Sequence, residues 1–262
     1  MSPALRTRSR DGTAIAYERR GEGPPLIVVS GALCSRAFGA QPKLTELLAR
    51  RFTVYDWDRR GRNESGDTAP YAVARELEDL AALIGEAGGS AHLLGFSSGA
   101  ALALEAAAAG LPVRKLALYE PPYVGRRNGG PEPDHRGRLE ALLGAGRRGA
   151  AVRYFMADMV GMPRIVAWAM RLFPMWPKLE AVAHTLPYDA AIMGDWEVPA
   201  ARAAAVKVPT LVLGGGKSPA ALRSAVDRTA AAIPGATRRV LEGQSHQAAP
   251  DTLAPVLTEF LA

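Results

Sequence analysis

Gly95-Phe96-Ser97-Ser98-Gly99 carries the strongest chemical signal in the chain. It follows the apolar run Ala91-His92-Leu93-Leu94 and precedes Ala100-Ala101-Leu102-Ala103-Leu104-Glu105-Ala106-Ala107, a pattern that predicts strand, sharp turn and helix with Ser97 at the apex. In that context G-x-S-x-G is a nucleophile elbow, whose turn strains the serine backbone and pushes the hydroxyl clear of the sheet. The glycines let neighbouring backbone crowd in where a Cβ would collide. A serine hydroxyl is a weak nucleophile until a base takes its proton. The chemistry therefore depends on which histidine and which carboxylate can join it.

The chain has 4 histidines. His92 alternates within the strand before the elbow and reads as a packed core or surface residue. His135 lies in the polar segment Pro131-Glu132-Pro133-Asp134-His135-Arg136 and reads as solvated; His184 falls in a helical stretch and reads as structural. His246 differs, because Glu242-Gly243-Gln244-Ser245-His246-Gln247 follows the last predicted strand and precedes the C-terminal helix. In a parallel sheet that loop opens on the same edge as the elbow. The chain order, Ser97 before His246, is the one an elbow requires. His246 is the candidate general base.

The elements that must position these residues alternate along most of the chain. Predicted strands 5–10 and 13–19 flank Asp11-Gly12, a strong hairpin turn. Pro25-Leu26-Ile27-Val28-Val29 is a short continuous apolar run, as expected for a strand buried on both faces. Helix 42–51, strand 52–57, helix 71–85, the elbow, strand 114–120, strand 209–213, helix 219–232, strand 237–241 and helix 249–261 follow. A hairpin and then β-α alternation predicts an α/β fold, one mostly parallel sheet with helices on both faces.

The alternation breaks between Glu120 and about Val206. That stretch opens polar and turn-rich over 125–131, then becomes helix-like and rich in large flexible side chains: Tyr154, Phe155, Met156, Met159, Met162, Trp168, Met170, Phe173, Met175, Trp176 and Met193. Pro163, Pro174, Pro177 and Pro187 divide it into short helices. It reads as a helical cap (121–206) over a core made of 1–120 and 207–262. Methionine and tryptophan suit an adaptable apolar pocket, with most of them burying the cap against the sheet.

Composition narrows the function classes. With 262 residues, 48% hydrophobic and 22% charged, the chain can bury a substantial core as an ordinary globule. Its net charge of +6 comes mainly from arginines in scattered pairs such as Arg19-Arg20, Arg59-Arg60, Arg147-Arg148 and Arg238-Arg239. With aromatics at only 6%, no stacking platform is interleaved with that charge, so a solvated surface is expected rather than nucleic-acid binding. No apolar run approaches a membrane span. Met1-Ser2-Pro3-Ala4-Leu5-Arg6 lacks the apolar core of a secretory signal, so a cytoplasmic location is expected. The single cysteine, Cys34, fits a reducing compartment; with no base of its own it reads as a buried, inert thiol.

Over essentially its whole length the chain resembles the α/β-hydrolase superfamily. Besides the elbow and His246, Asp58-Arg59-Arg60-Gly61-Arg62-Asn63-Glu64-Ser65-Gly66 is similar to that superfamily's D-x-R-G-x-G-x-S loop. Tyr119-Glu120-Pro121-Pro122, Gly214-Gly215-Gly216-Lys217-Ser218-Pro219 and Leu241-Glu242-Gly243-Gln244-Ser245-His246 are similar to a group of actinobacterial α/β hydrolases. The resemblance implies an eight-stranded sheet with an inserted cap and implies no cofactor or metal. It also implies an oxyanion hole built from the backbone N–H of Ser98 and of Ala32, where Ser30-Gly31-Ala32 stands in place of the usual His-Gly.

The acid departs from the family pattern. The usual aspartate after strand 209–213 is missing, since Gly214-Gly215-Gly216-Lys217-Ser218 holds no carboxylate. Glu120, at the end of strand 114–120, is the expected substitute, because some superfamily members, certain haloalkane dehalogenases among them, carry their acid there. Asp195 and Asp189 are rivals. The expected activity is serine hydrolysis of an ester, lactone or thioester of a small hydrophobic substrate, with neither nucleic acid nor membrane as partner and homodimerisation open. The alternative is a non-hydrolytic member of the same fold: a lyase, cyclase, perhydrolase or ligand-binding receptor.

Overall fold

The computed structural model describes residues 4–39, 41–125 and 133–262. Strands β1 (Leu5–Arg8) and β2 (Ala14–Arg20) form the expected hairpin. Gly12 supplies the positive φ of its turn, and the Asp11 carboxylate accepts the Thr13 N–H at 3.0 Å. The remaining strands are β3 (Pro25–Val29), β4 (Thr53–Trp57), β5 (Ala91–Phe96), β6 (Val113–Tyr119), β7 (Thr210–Gly215) and β8 (Thr237–Leu241). They make an 8-stranded sheet in the order β1-β2-β4-β3-β5-β6-β7-β8. β3 to β8 are parallel, and only the hairpin end is antiparallel.

The apolar runs are explained by burial on both faces. Leu93 and Leu94, adjacent on β5, are both fully buried but in different layers. Leu93 packs with Ile27, Leu118 and Val212 under α2 (Val73–Glu86), α3 (Ser98–Ala108) and α10 (Ala220–Ala232). Leu94 packs with Leu26, Ala117 and Leu213 against α1 (Pro42–Leu48) and α11 (Pro250–Leu261). Strand period two sends successive side chains to opposite faces, so a strand covered on both has no polar phase.

Between β6 and β7 the chain leaves the sheet. The described part of this insert contains α4 (His135–Gly144), α5 (Arg148–Tyr154) running into a π turn (Phe155–Met159), α6 (Arg164–Ala169), α7 (Trp176–Val182), α8 (Leu186–Met193) and α9 (Ala200–Ala205). Pro163 precedes α6, and Pro177 and Pro187 sit in the first turns of α7 and α8. There the missing N–H has no helical partner to lose. Of the turn-rich stretch 125–131, residues 126–131 lie outside the described residues. Met159, Trp176 and Met193 are buried as expected, but Ile165 and Leu172 are more than 70% exposed and Trp168, Phe173 and Met175 are also exposed.

Two expectations about polar residues are corrected. His135 is buried rather than solvated, with Nδ1 2.8 Å from Tyr154 Oη and its ring edge-on to Trp196. The Arg59-Arg60 pair is not a solvated surface pair, since both side chains are 1% exposed and matched by buried carboxylates. Among the described residues, no helix is long and apolar enough to cross a membrane.

Candidate active site

Parallel strands deliver their carboxyl ends to one edge of the sheet, and the candidate residues gather there. Ser97 follows β5 directly and is the N-cap of α3, with φ 53° and ψ −126°. A left-handed φ at a serine costs about 1–3 kcal/mol and persists only when its surroundings enforce it. Here they do: the Ser97 N–H donates to Tyr119 O at 3.0 Å, tying the turn to the neighbouring strand. A Cβ at Gly95 would stand 2.5 Å from Ala100 Cα, and one at Gly99 would stand 2.2 Å from Val29 O. Only glycine admits so tight a strand-to-helix turn, which is why the motif has glycine at both positions.

Glu120 follows β6 in the same way, with φ 48° and its N–H donating to Leu213 O at 2.9 Å. Its side chain is fully buried. Oε1 accepts the Gly215 N–H at 2.7 Å and the Ser218 hydroxyl at 2.6 Å, while Oε2 lies 2.7 Å from His246 Nδ1. Burial pushes this carboxyl up, but the bonds from His246, Ser218 and Gly215 outweigh it and hold its pKa below the ordinary glutamate value. An ionised carboxylate only accepts, so Nδ1 carries a proton, and in the neutral ring that tautomer leaves the lone pair on Nε2.

The loop that presents His246 is fastened to the same edge. Tyr119 Oη donates to Ser245 O at 2.5 Å, and the Lys217 N–H donates to Gln244 O at 2.8 Å. The imidazole itself is 47% exposed. Among the described residues no hydrogen bond joins His246 to Ser97. The rival carboxylates are occupied elsewhere: Asp195 accepts the Glu197 N–H at 3.1 Å on the surface, and Asp189 is buried between Arg59 and Arg62.

The loop after β3 closes the group. Gly31 packs on the elbow, where an added Cβ would stand 3.1 Å from both Phe96 O and Ser97 Cβ. Leu33 takes a positive φ of 61°. No loop or cap hydrogen bond among the described residues uses the N–H of Ala32 or Ser98. Two donors without acceptors beside a strained serine are what a developing oxyanion requires.

A model of the alpha/beta hydrolase family matches residues 26–256. The chain belongs to that family. A crystal structure of an alpha/beta hydrolase from Sphaerobacter thermophilus is 53% identical, covers 98% of this chain and 100% of its own, and superposes with a TM-score of 0.91. A hydrolase from Pseudomonas aeruginosa, 23% identical over 100% of this chain and 99% of its own with a TM-score of 0.77, shares the fold. N-formylmaleamate deformylase of Pseudomonas putida is 37% identical over 116 residues, which is 40% of this chain and 40% of that protein. The match thus spans about two fifths of the length of that curated relative.

As an α/β hydrolase, this chain departs from the family pattern in ways the contacts explain. Gly215 and Ser218 occupy the stretch where the family's acid usually stands, and they supply donors to Glu120 instead. The sequence singled out Glu120 but gave no sign of Gly215 and Ser218 as its hydrogen-bond donors. In the loop resembling D-x-R-G-x-G-x-S, buried Asp58 accepts the Arg36 N–H at 2.8 Å and Asn63 Nδ2 at 2.9 Å, so its carboxylate staples that loop together. His92 is packed in the core, edge-on to Phe52, and burial pushes its pKa down to about 4 with help from Lys115 and Arg114. Half-buried His184 stands 3.9 Å from Asp67. Burial raises the Cys34 thiol. Among the described residues, no three His, Cys, Asp or Glu side chains are grouped to hold a metal ion.

Proposed function

We propose that this α/β hydrolase is a serine hydrolase that cleaves an ester, lactone or thioester of a small hydrophobic substrate through an acyl-enzyme. The observation that carries the reading is the 2.7 Å hydrogen bond between Glu120 and His246 Nδ1, at a strand end next to the strained Ser97. It fixes the tautomer that leaves Nε2 able to take a proton. In the reaction, Ser97 Oγ attacks the acyl carbon and its proton passes to His246 Nε2. The carbonyl electron pair moves onto oxygen, which receives hydrogen bonds from the Ala32 and Ser98 N–H groups. Collapse of that intermediate breaks the bond to the leaving group, which takes the proton from His246. Water then attacks the acyl-enzyme, gives a proton to the same nitrogen, and the acid departs as Ser97 recovers its proton. The Ser97–His246 hydrogen bond forms when substrate arrives, as catalytic bonds that are open in the free enzyme commonly do.

The helical insert is the cap of this site, and its methionines and aromatics favour an apolar acyl or alcohol group. Among structural relatives, an enol-lactonase from Burkholderia xenovorans and an esterase from Rhodococcus share the fold at 22% and 23% identity. Their names and that of the deformylase describe carbonyl hydrolysis, which agrees with the reading. Stoichiometric labelling of Ser97 by a fluorophosphonate, with loss of both labelling and p-nitrophenyl ester turnover in Ser97→Ala, is the expected result. Full turnover in that variant would overturn the proposal.

A further inference from the structure

Asp189 is a buried carboxylate that the chemistry above does not use. It lies on α8 of the insert, 1% exposed, yet it reaches the catalytic edge of the sheet. Oδ1 accepts the Ser98 hydroxyl at 2.8 Å and Arg59 Nη1 at 2.7 Å, while Oδ2 accepts Arg62 Nη2 at 2.7 Å. Both guanidinium groups are themselves 1% exposed. Arg59 also makes a two-pronged contact to Glu76, at 2.7 Å on each oxygen. Two cations and two carboxylates thus cancel in a region closed to water, where removing one charge strands its partner.

Both arginines also hold one loop through their Nη1 groups. Arg62 Nη1 donates to Gly31 O at 2.6 Å and to Cys34 O at 3.2 Å; Arg59 Nη1 donates to Ser30 O at 3.3 Å. The first contact matters most for chemistry. In a trans peptide the carbonyl and the following N–H point in opposite directions from one rigid plane. Holding Gly31 O therefore sets the direction of the Ala32 N–H. The same carboxylate that holds Arg62 also holds the Ser98 side chain, at the first residue of the helix whose Ser98 N–H is the other oxyanion donor.

We propose that Arg62 and Asp189 are positioning residues for the oxyanion hole. Arg62 aims the Ala32 N–H through the Gly31 carbonyl, and Asp189 of the insert clamps Arg62 and Ser98 together. This rests on the reading of Ser97 as an acylating nucleophile. It follows that the insert is part of the catalytic scaffold and not a lid that can swing clear. Moving α8 away would expose Arg59 and Arg62 without their carboxylate and release both donors. The hydroxyl oxygen of Thr185, just before α8, accepts the Arg62 Nε–H at 3.2 Å.

The test uses the full chain and three variants: Arg62→Lys, Asp189→Asn and Ser98→Ala. Arg62→Lys keeps the charge but not the fork that spans Gly31 O and Asp189. Ser98→Ala removes one hydroxyl contact, keeps the backbone donor and is the variant least able to prevent folding. The readouts are kcat and KM for a p-nitrophenyl ester and the inhibition constant of a trifluoromethyl ketone, whose hemiketal oxygen occupies the hole. A mis-aimed donor is expected to lower kcat roughly 10- to 100-fold in Arg62→Lys and Asp189→Asn, and about 3- to 10-fold in Ser98→Ala, with KM near wild type. Ketone affinity should fall in parallel with kcat, which a merely structural contact would not produce. Folded Ser98→Ala and Arg62→Lys with wild-type kcat and ketone affinity would overturn the proposal, and if the charge variants fail to fold, Ser98→Ala decides alone. Labelling of wild-type Ser97 by a fluorophosphonate separates the two levels. Without it, both readings fall; with it and unchanged variants, only the positioning role does.

Discussion

Glu120→Gln is the sharpest perturbation of the site, because it changes one atom's chemistry at nearly constant shape. The native carboxylate accepts from Gly215 N–H, Ser218 Oγ and His246 Nδ1, all between 2.6 and 2.7 Å. A glutamine has one oxygen and one NH₂ with which to meet them. If its NH₂ faced Gly215, a backbone donor that cannot be re-aimed would be left buried without an acceptor, at a cost of about 1–3 kcal/mol. The amide oxygen therefore stays on Gly215 and Ser218, and the NH₂ turns to His246. Nδ1 must then accept, which moves the imidazole proton to Nε2 and removes the lone pair that would take the Ser97 proton. The wrong tautomer in a serine triad costs ~10⁴ in turnover, equivalent to about 5.4 kcal/mol of barrier. The expected result is a kcat reduced about 10³- to 10⁴-fold on a p-nitrophenyl ester, with KM little changed and circular dichroism like wild type. Fluorophosphonate labelling should slow in the same proportion. A folded Glu120→Gln within tenfold of the wild-type kcat would refute the assignment of the acid.

Three further outcomes follow from particular contacts. Ser218→Ala removes the hydroxyl that donates to Glu120 at 2.6 Å, and a urea titration should show a loss of about 1–3 kcal/mol. Gly99→Ala would place a Cβ 2.2 Å from Val29 O and 2.5 Å from Ser30 O, both rigid backbone, so about 3 kcal/mol of destabilisation is expected; a wild-type melting temperature would contradict that close approach. His92 has its folded pKa pushed down to about 4 from an ordinary 6.5, so the unfolded chain binds the proton more readily. Its contribution is present above pH 6.5 and lost as pH falls through 4, about 3 kcal/mol in all, and His92→Leu should flatten the urea midpoint between pH 7 and pH 4.5.

What could be read from the sequence was set by how local its cause is. The elbow announces itself because strand, turn and helix are contiguous and the two glycines are demanded by atoms within the motif or on the next strand. β5 and β7 were legible because full burial on both faces leaves no polar phase to obscure them. Arg59-Arg60 was not, because a basic pair looks the same in sequence whether water or carboxylates neutralise it. Here Glu76, Asp79 and Asp189 do so, and Asp189 comes from 130 residues further along the chain. His135 was misread for a similar reason: its polar neighbours are near in sequence, but its ring contacts are Tyr154 and Trp196.

The proposed acid, Glu120, shows how such a site could tolerate rearrangement. β6 and β7 are hydrogen-bonded neighbours, with Tyr119 paired to Leu213, so the residues just beyond them face one small volume. That volume must hold one carboxylate near His246 Nδ1, and it must satisfy the carboxylate's other oxygen. Either strand can supply the acid if the other supplies donors. In this chain β6 brings Glu120, at the cost of a left-handed φ of 48°, while the end of β7 brings the Gly215 N–H and the Ser218 hydroxyl. A carboxylate after β7 would leave those donors facing no charge, and a carboxylate after both strands would place like charges against one imidazole. The absence of an acid from Gly214-Gly215-Gly216-Lys217-Ser218 and the presence of Glu120 are therefore one feature, distributed over two strands that lie almost a hundred residues apart in sequence and side by side in the sheet.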